Sequence, residues 1–329
     1  MSRHIPWSVA VPPEVHVQNC GVTMEQYHTD PAVQMHVQLR GPEILHERFG
    51  LPLRRSVRPD FTAYLDASVH GLEVDFGDDR VPAPLGHPIT SIEQAAALRV
   101  PDDISRAGMY PRALEFYEYM KSHAPEDVTV GFGGGHQGPF TAALLLRGQE
   151  LMLDIYDRPD LAHRFLATIA GTSIRQREFA RQVTGDASPL QAVGFGDDYG
   201  GLLPPELYVE FDVSYMLRVA EHFGVQTKTI HTELLRRPHL KILQDHGWVS
   251  IDVGTDPHLT VRDCREVLSI PFLVQFRTSE DMLLSNPEQV KRRYRQMVAD
   301  GAERMMVEIC RGVPDENIRA FIEVAREYE

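Results

Sequence analysis

From about residue 105 onward, strand-like and helix-like segments alternate along the chain without an obvious linker. The strand-like segments are short apolar runs, and segments with apolar residues at helical spacing separate them. Such alternation predicts parallel strands joined by right-handed helical crossovers, because parallel neighbours cannot be joined by a tight hairpin. Two architectures fit this pattern, a doubly wound open sheet and a (β/α)8 barrel.

The ends of the predicted strands favour the barrel. Nearly every predicted strand after residue 128 ends in polar residues or glycine. These strand-end residues are His136 and Gln137, Asp197 and Asp198, His231 and Glu233, Asp252, Gln275 and Arg277, and Cys310. A barrel collects the carboxyl ends of its strands around one mouth, where these side chains would converge. The glycine run at 131–135 lacks the G-x-G-x-x-G spacing of a dinucleotide site, which disfavours a nucleotide-binding open sheet.

We predict one (β/α)8 TIM-barrel domain over residues 1–329, in which residues 1–75 form an irregular N-terminal extension that covers the barrel mouth. This extension is rich in His, Pro and Arg, and a helix from Pro31 to Phe49 is predicted within it. The segment GLEVDFGDDRVPAP predicts a short strand or a hairpin arm, with a turn. Ser91 is expected to cap the short helix that follows.

Composition limits the partners of the chain. Its formal net charge is −14, from 33 basic and 47 acidic residues, so nucleic acid and anionic membranes are not expected as partners. Three cysteines, Cys20, Cys264 and Cys310, fit a reducing compartment better than a disulfide framework. No apolar run has the length of a signal-peptide core or a membrane span, so we expect a cytoplasmic protein with a small-molecule substrate. The oligomeric state stays open, with a homodimer as the commonest assembly.

A metal site is predicted at His231, Glu233 and Cys310. Side chains two residues apart on a strand share a face, so His231 and Glu233 in VQTKTIHTE would point together into the mouth. Cys310 ends another strand-like run, RMMVEIC. Imidazole, carboxylate and thiolate all bind Zn²⁺, and three protein ligands leave one position open for chemistry. The alternative is a hydrogen-bonded histidine and a buried cysteine without a metal.

Other strand-end residues are candidates for contact with the substrate. The adjacent carboxylates of Asp197 and Asp198 point to opposite faces, and we favour Asp197 as the catalytic one. His136 follows the glycine run and is predicted as a second catalytic residue. The residues predicted to line the substrate site are Tyr199, Asp198, His258 and Gln275.

Several segments resemble the uroporphyrinogen decarboxylase-like superfamily over most of residues 65–329. They are GPFTAALLLRGQELMLDIYDRPDLAHRFL, GDDYGGLLPPELYVEF and VPDENIRAFIEVARE. The segment GLEVDFG, followed by HPI and LRVPD, is similar to the methylcobamide:coenzyme M methyltransferase branch. This resemblance implies a (β/α)8 barrel, in agreement with the pattern of strand ends.

In that branch a His-x-Cys pair and a distant Cys bind zinc. His231 and Cys310, which lie 79 residues apart, match the first and last ligands, whereas Glu233 stands where the branch has Cys. A carboxylate is a harder ligand than a thiolate. The resemblance therefore implies a better fit to O-demethylase methyltransferases, which pass a methyl group from an ether or amine to a corrinoid protein. No RQAGRY-like segment occurs in residues 1–60, which argues against decarboxylation of uroporphyrinogen.

The sequence and the resemblance together favour a zinc-dependent methyltransferase that moves a methyl group between a small methylated substrate and a corrinoid protein. No D-x-H-x-x-G motif for cobalamin is present, so the corrinoid is expected on a partner protein. One alternative is a metal-dependent lyase, decarboxylase or hydrolase on the same barrel. Another is a non-catalytic, ligand-binding barrel that holds no metal.

Overall fold

The computed structural model describes residues 4–77, 80–133 and 136–329. The described residues form ten strands: β1 (Trp7–Ala10), β2 (Ser56–Val57), β3 (Val74–Asp75), β4 (Ala83–Pro84), β5 (Thr129–Val130), β6 (Ala192–Asp197), β7 (Thr227–Thr232), β8 (Trp248–Asp252), β9 (Phe272–Phe276) and β10 (Arg304–Glu308). Their α-helices are α1 (Pro13–Cys20), α2 (Met24–Thr29), α3 (Pro31–Phe49), α4 (Leu65–Ser68), α5 (Ile92–Ala97), α6 (Tyr110–His123), α7 (Pro139–Arg147), α8 (Glu150–Asp157), α9 (Pro159–Thr184), α10 (Pro205–Tyr208), α11 (Ser214–His222), α12 (Arg237–Asp245), α13 (Val261–Val267), α14 (Pro287–Ala299) and α15 (Asp315–Arg326). Short 3-10 turns cover Ile104–Arg106 and Gly200–Leu202, and π-helical turns cover Val209–Val213 and Thr278–Leu283.

Six parallel strands form the main sheet, in the order β1-β10-β9-β8-β7-β6. A second parallel pair joins β2 to β5, and a bridge between Gln137 and Gly196 links the segment after β5 to β6. The parallel wall thus runs from β2 through β5 and β6 round to β1, which is consistent with a (β/α)8 barrel. No ladder joins β1 to β2 in the described part of the chain, so closure of the barrel is not seen. A cavity of 880 Å³ lies along this seam, lined by β1, α3 and the segment that leads into β2.

The two faces of the parallel wall differ in their contacts. Outward side chains such as Ile230, Val274 and Phe276 are buried in the main core together with the apolar faces of the surrounding helices. Inward side chains such as His231 and Gln275 are only half-buried. Because strand side chains alternate between faces, the interior of the wall is a polar hollow that opens at the carboxyl ends of the strands.

The N-terminal segment is more regular than predicted. The helix Pro31–Phe49 is confirmed. However, Trp7–Ala10 forms β1 and pairs with β10 along its whole length, so this part of the chain belongs to the parallel wall. A strand of four residues between Pro6 and Pro12 is too short to show an alternating pattern in the sequence. The predicted hairpin arm is confirmed as the antiparallel pair of β3 and β4.

The later elements follow the prediction, with one local departure. Strands β6 to β10 each lie within a predicted strand, and Ser91 caps α5 by accepting a hydrogen bond from the backbone N–H of Gln94. One predicted helix divides at Gly148, whose φ of +72° ends α7 before α8 begins. Among the described residues, no helix is both long and apolar enough to cross a membrane. Gly134 and Gly135 of the predicted glycine turn lie outside the described residues.

Gly200 lies where two buried carboxyl groups leave no room for a side chain. A Cβ atom there would be 2.3 Å from Oδ2 of both Asp197 and Asp212. We expect Gly200→Ala to lower the free energy of unfolding by about 1–3 kcal/mol, because overpacking forces buried neighbours to move. Chemical denaturation measures the change. The matched control is Gly131→Ala, whose Cβ would come no closer than 3.8 Å to another atom. A loss no larger than that of the control would contradict the tight packing at Gly200.

Candidate active site

His231 is oriented by a carboxylate from the neighbouring strand. Its Nδ1 lies 2.9 Å from Oδ2 of Asp252, and the two residues are register partners on β7 and β8. Asp252 also accepts hydrogen bonds from the backbone N–H of Gly254, at 2.9 Å, and from Nε2 of Gln275, at 3.3 and 3.2 Å. With Nδ1 donating to Asp252, Nε2 of His231 faces Asp198, whose Oδ1 is 3.7 Å away.

Several carboxylates surround His231 and set its charge. Partial burial lowers the pKa of His231, but the hydrogen bond and charge of Asp252, together with Asp198 and Glu233, outweigh burial and raise this pKa to about 9. Burial raises the pKa of Glu308, at the end of β10, and neighbouring carboxylates raise it further. The mouth therefore carries an excess of negative charge, which favours the binding of a cation.

The predicted metal ligands are brought together only in part. Gly254 shows that His231 and Glu233 are neighbours, because a Cβ on Gly254 would lie 2.7 Å from Oε1 of Glu233 and 3.2 Å from Cε1 of His231. Cys310 follows β10, and its thiol donates to the carbonyl oxygen of Arg311 at 3.5 Å. In the parts of the chain that the structure describes, no group of three or more His, Cys, Asp or Glu side chains is arranged to hold a metal ion.

The donor chemistry of His231 and Glu233 nevertheless fits zinc. A zinc-binding imidazole usually donates its other N–H to a carboxylate, which fixes the tautomer, and Asp252 accepts in this way from His231. A glutamate oxygen beside that imidazole is a common second ligand. Cys310 as the third ligand stays a prediction.

Asp197 and Asp198 occupy opposite faces of the wall, as predicted. However, it is Asp198, and not the favoured Asp197, that faces the mouth. Asp197 is fully buried, and its Oδ1 accepts hydrogen bonds from Oγ1 of Thr141 and from the backbone N–H of Gly200 at 3.0 and 3.1 Å. Asp198 faces Nε2 of His231, and burial raises the pKa of Asp198 against the charge of His231. Asp197 therefore anchors the turn behind β6, and its catalytic role stays a prediction.

A second buried acid accompanies Asp197. Burial, followed by the charge of Asp197, raises the pKa of Asp212 well above its ordinary value. Burial also raises the pKa of Asp197, to about 6, while hydrogen bonds from Asp212 and Thr141 oppose this shift. Of the two buried acids, Asp212 is therefore the one whose protonated form the fold favours more strongly.

His136 is held by an acid that the sequence did not single out. Its Nδ1 lies 3.0 Å from Oδ2 of Asp66, which also accepts from the backbone N–H of Gln137 at 3.2 Å. Both side chains of the pair are largely buried, with 13% of His136 and 10% of Asp66 exposed. Asp66 lies on the four-residue helix α4, which is too short to give a sequence signal.

The other residues predicted to line the substrate site have different surroundings. Burial raises the pKa of Tyr199, and the charge of nearby Asp198 raises it further, which places the phenol beside the mouth. Gln275 donates to Asp252 and so supports the acid that orients the histidine. His258 is exposed, and no side-chain contact joins it to the mouth within the described residues.

Comparisons with known proteins agree with this architecture. Residues 4–328 match the model of the family described as uroporphyrinogen decarboxylase (URO-D). The chain is 27% identical to the uroporphyrinogen decarboxylase of Xylella fastidiosa over 206 residues, which cover 59% of this chain and 55% of that protein. It is 24% identical to the protein of the same name from Flavobacterium johnsoniae, over 87% of this chain and 85% of that protein. The chain thus spans about half the length of the first of these relatives.

A solved structure described as a methyltransferase from Methanosarcina mazei is similar over the whole chain. The TM-score is 0.73, with 20% sequence identity and coverage of 100% of this chain and 95% of that one. At this identity, the likeness shows a shared fold.

The buried acid pair predicts a pH-dependent effect on stability. Because the folded-state pKa of Asp212 is raised, its contribution to stability is full at low pH and is lost as the pH rises. We expect Asp212→Asn to stabilise the protein at pH 8, because the asparagine amide stays neutral where burial opposes the charged form of Asp212. The gain should shrink at pH 5, and urea denaturation at both pH values measures it. Asp245→Asn, an exposed acid paired with Lys241, is the control. Equal destabilisation at both pH values would contradict the raised pKa of Asp212.

Proposed function

The chain belongs to the uroporphyrinogen decarboxylase family, and we propose that it is a zinc-dependent methyltransferase of that family. It moves a methyl group between a small methylated ether or amine and a corrinoid protein. The observation that carries the proposal is His231, held by Asp252 with its Nε2 directed into the mouth and with Glu233 beside it. The fold shared with the methyltransferase from Methanosarcina mazei supports it.

Zinc would be held by His231, Glu233 and Cys310. When bound, it acts as a Lewis acid that polarises the heteroatom carrying the methyl group and makes that heteroatom a better leaving group. Asp252 keeps the proton on Nδ1 of His231, so that Nε2 is the nitrogen that would give up its proton and bind the metal. The carboxylate of Glu233 and the thiolate of Cys310 would balance the charge of Zn²⁺.

Residues around this centre would supply a proton to the leaving heteroatom and orient the substrate. Asp198 faces Nε2 of His231 and has a raised pKa, so it is placed to hold a proton at the heteroatom that loses its methyl group. Tyr199 lines the same side of the mouth. His136, oriented by Asp66, is a second acid–base group on the neighbouring part of the wall. The methyl acceptor is a corrinoid on a partner protein.

A decarboxylase or another lyase on the same barrel is the second candidate. The observation that favours it is the name of the two relatives, both uroporphyrinogen decarboxylases, of which one matches over 87% of this chain. Dependence on a corrinoid acceptor separates the two candidates, because decarboxylation needs none.

Metal content tests the proposed ligands directly. We expect about one zinc per chain in the purified protein and loss of that zinc in Glu233→Ala and in Cys310→Ala, because each removes one of three protein ligands. Plasma mass spectrometry with a protein assay measures the ratio. Cys20→Ala, which changes a half-buried cysteine in α1, is the matched control and should keep its zinc. Full zinc in both ligand variants would reject the site.

Activity tests the role of Asp252. Methyl transfer from methyl ethers or methylamines to cob(I)alamin is followed by visible absorption. We expect Asp252→Asn to lower kcat/KM by about 10–100-fold, since groups that support a metal-bound histidine have effects of that size. Asp245→Asn, an exposed acid at the end of α12, should be unchanged. Release of carbon dioxide from a carboxylated substrate by the wild type, without any corrinoid, would reject the methyltransferase in favour of the decarboxylase.

A further inference from the structure

A separate cavity lies on the β2 and β5 side of the wall, away from His231. Its volume is 480 Å³, and residues of α1 and α3 form its other walls. From β2 and its flanks come Arg54, Ser56 and Arg58, and from β5 and the residue after it come Thr129 and Gly131. This part of the wall carries basic and hydroxyl groups, in contrast to the acidic surroundings of His231.

The alternation of strand faces explains why these three residues of the β2 segment meet. Arg54, Ser56 and Arg58 are two residues apart and line the cavity as exposed residues, and Val57 between Ser56 and Arg58 also contributes to the lining but is only 1% exposed. The segment is kept extended by ladder hydrogen bonds from the backbone N–H of Thr129 to the carbonyl of Arg55, and from that of Gly131 to the carbonyl of Val57. Arg54 and Arg58 therefore lie on either side of Ser56 along this cavity.

The guanidinium groups of Arg54 and Arg58 are unpaired in the described structure. Within the described residues, Arg54 and Arg58 make no ion pair and no side-chain hydrogen bond, whereas Arg55 between them binds both carboxylate oxygens of Asp127 at 2.9 and 3.0 Å. Two positive charges without a carboxylate partner in the described structure therefore line this cavity.

The carboxylate that lines this cavity is already engaged. Asp60 accepts a hydrogen bond from the hydroxyl of Tyr27 at 2.9 Å and another from the backbone N–H of Thr62 at 3.0 Å. These contacts direct the carboxyl group of Asp60 towards its own turn, and no ion pair joins it to Arg58 in the described structure.

We propose that this cavity binds an oxyanion, a carboxylate or phosphate group, through Arg54 and Arg58. The planar guanidinium forks match the geometry of such groups and form charge-assisted hydrogen bonds with them. Ser56 and Thr129 are register partners on β2 and β5, so their hydroxyl groups lie side by side as additional donors. An anion bound here would give Arg54 and Arg58 the partner that the described protein residues do not supply.

The position of this site along the wall suggests the class of substrate. This inference about the substrate, unlike anion binding itself, rests on the proposed function. The strand β2 is three positions from β7 along the wall, roughly 14 Å at the usual strand spacing. A methylated substrate that reaches from His231 to Arg58 therefore carries its heteroatom at one end and a carboxylate or phosphate at the other.

Binding of simple anions tests the site without any methyl transfer. Inorganic phosphate and benzoate are titrated calorimetrically into the purified protein, at constant ionic strength kept with chloride. We expect saturable binding of at least one of them, weakened at least tenfold in the double variant Arg54→Gln/Arg58→Gln. Arg292→Gln, which removes an exposed charge on α14, is the control and should bind like the wild type. Thermal melting confirms that the variants are folded.

The outcomes separate this proposal from the proposed function. Tighter binding of benzoate or of phosphate identifies the anion, and either result supports the site. Equal affinity in the double variant, equal weakening in Arg292→Gln, or no binding beyond chloride overturns it. Zinc content is measured on the same samples: anion binding without zinc would leave this site standing while the zinc mechanism fails.

Discussion

The alternation of side chains along the parallel strands is the constraint on which the rest of the molecule depends. An outward residue packs against helices and must be apolar, whereas an inward residue reaches the hollow and is free to be polar. His231 lies between Ile230 and Thr232, which are both buried on the outer face. A slip of one residue would bury the imidazole and expose the isoleucine. The hydrophobic packing between sheet and helices thus also fixes the direction of the side chains in the candidate site.

The candidate site consists of residues held by the sheet and of residues on the turn beyond it. His231, Asp252 and Gln275 come from three adjacent strands, so the ladder hydrogen bonds of the sheet hold their mutual geometry. Glu233 lies just beyond the end of β7, next to Leu234, which has a φ of +63°. A positive φ is costly for a residue other than glycine, and such strain is concentrated at functional sites. The strands therefore support a turn at Leu234 whose backbone conformation is unfavourable for a residue other than glycine.

Much of the wall could be predicted from the sequence, because β6 to β10 combine an apolar outward face with turn residues at their ends. The short strands β1 and β2, with four and two residues, give no such pattern. The burial of Asp197 could have been predicted, since Val193 and Phe195 mark the outward face and Asp197 follows in the same phase.

Other parts of the site could not be read from the sequence. The contact of His231 with Asp252 depends on the register between β7 and β8, which includes an irregularity between Lys228 and Thr229. No local pattern in the sequence encodes such a shift. Asp66 reaches His136 from a distant four-residue helix, and only the tertiary fold brings the two together. Contacts across strands and between distant segments therefore carry the information that residue spacing lacks.

The unbonded seam between β1 and β2 has a mechanical consequence. A fully hydrogen-bonded ring of strands can widen only if ladder hydrogen bonds break, and each of these bonds contributes to stability. In the described structure no ladder joins β1 to β2, so opening the wall at this place would break no ladder hydrogen bond. Val11, His16, Pro42 and Arg54 line both the cavity along the seam and the cavity on the β2 side. Opening of the seam therefore enlarges the interior next to Arg54 while the strands that carry His231 and Asp252 keep their register.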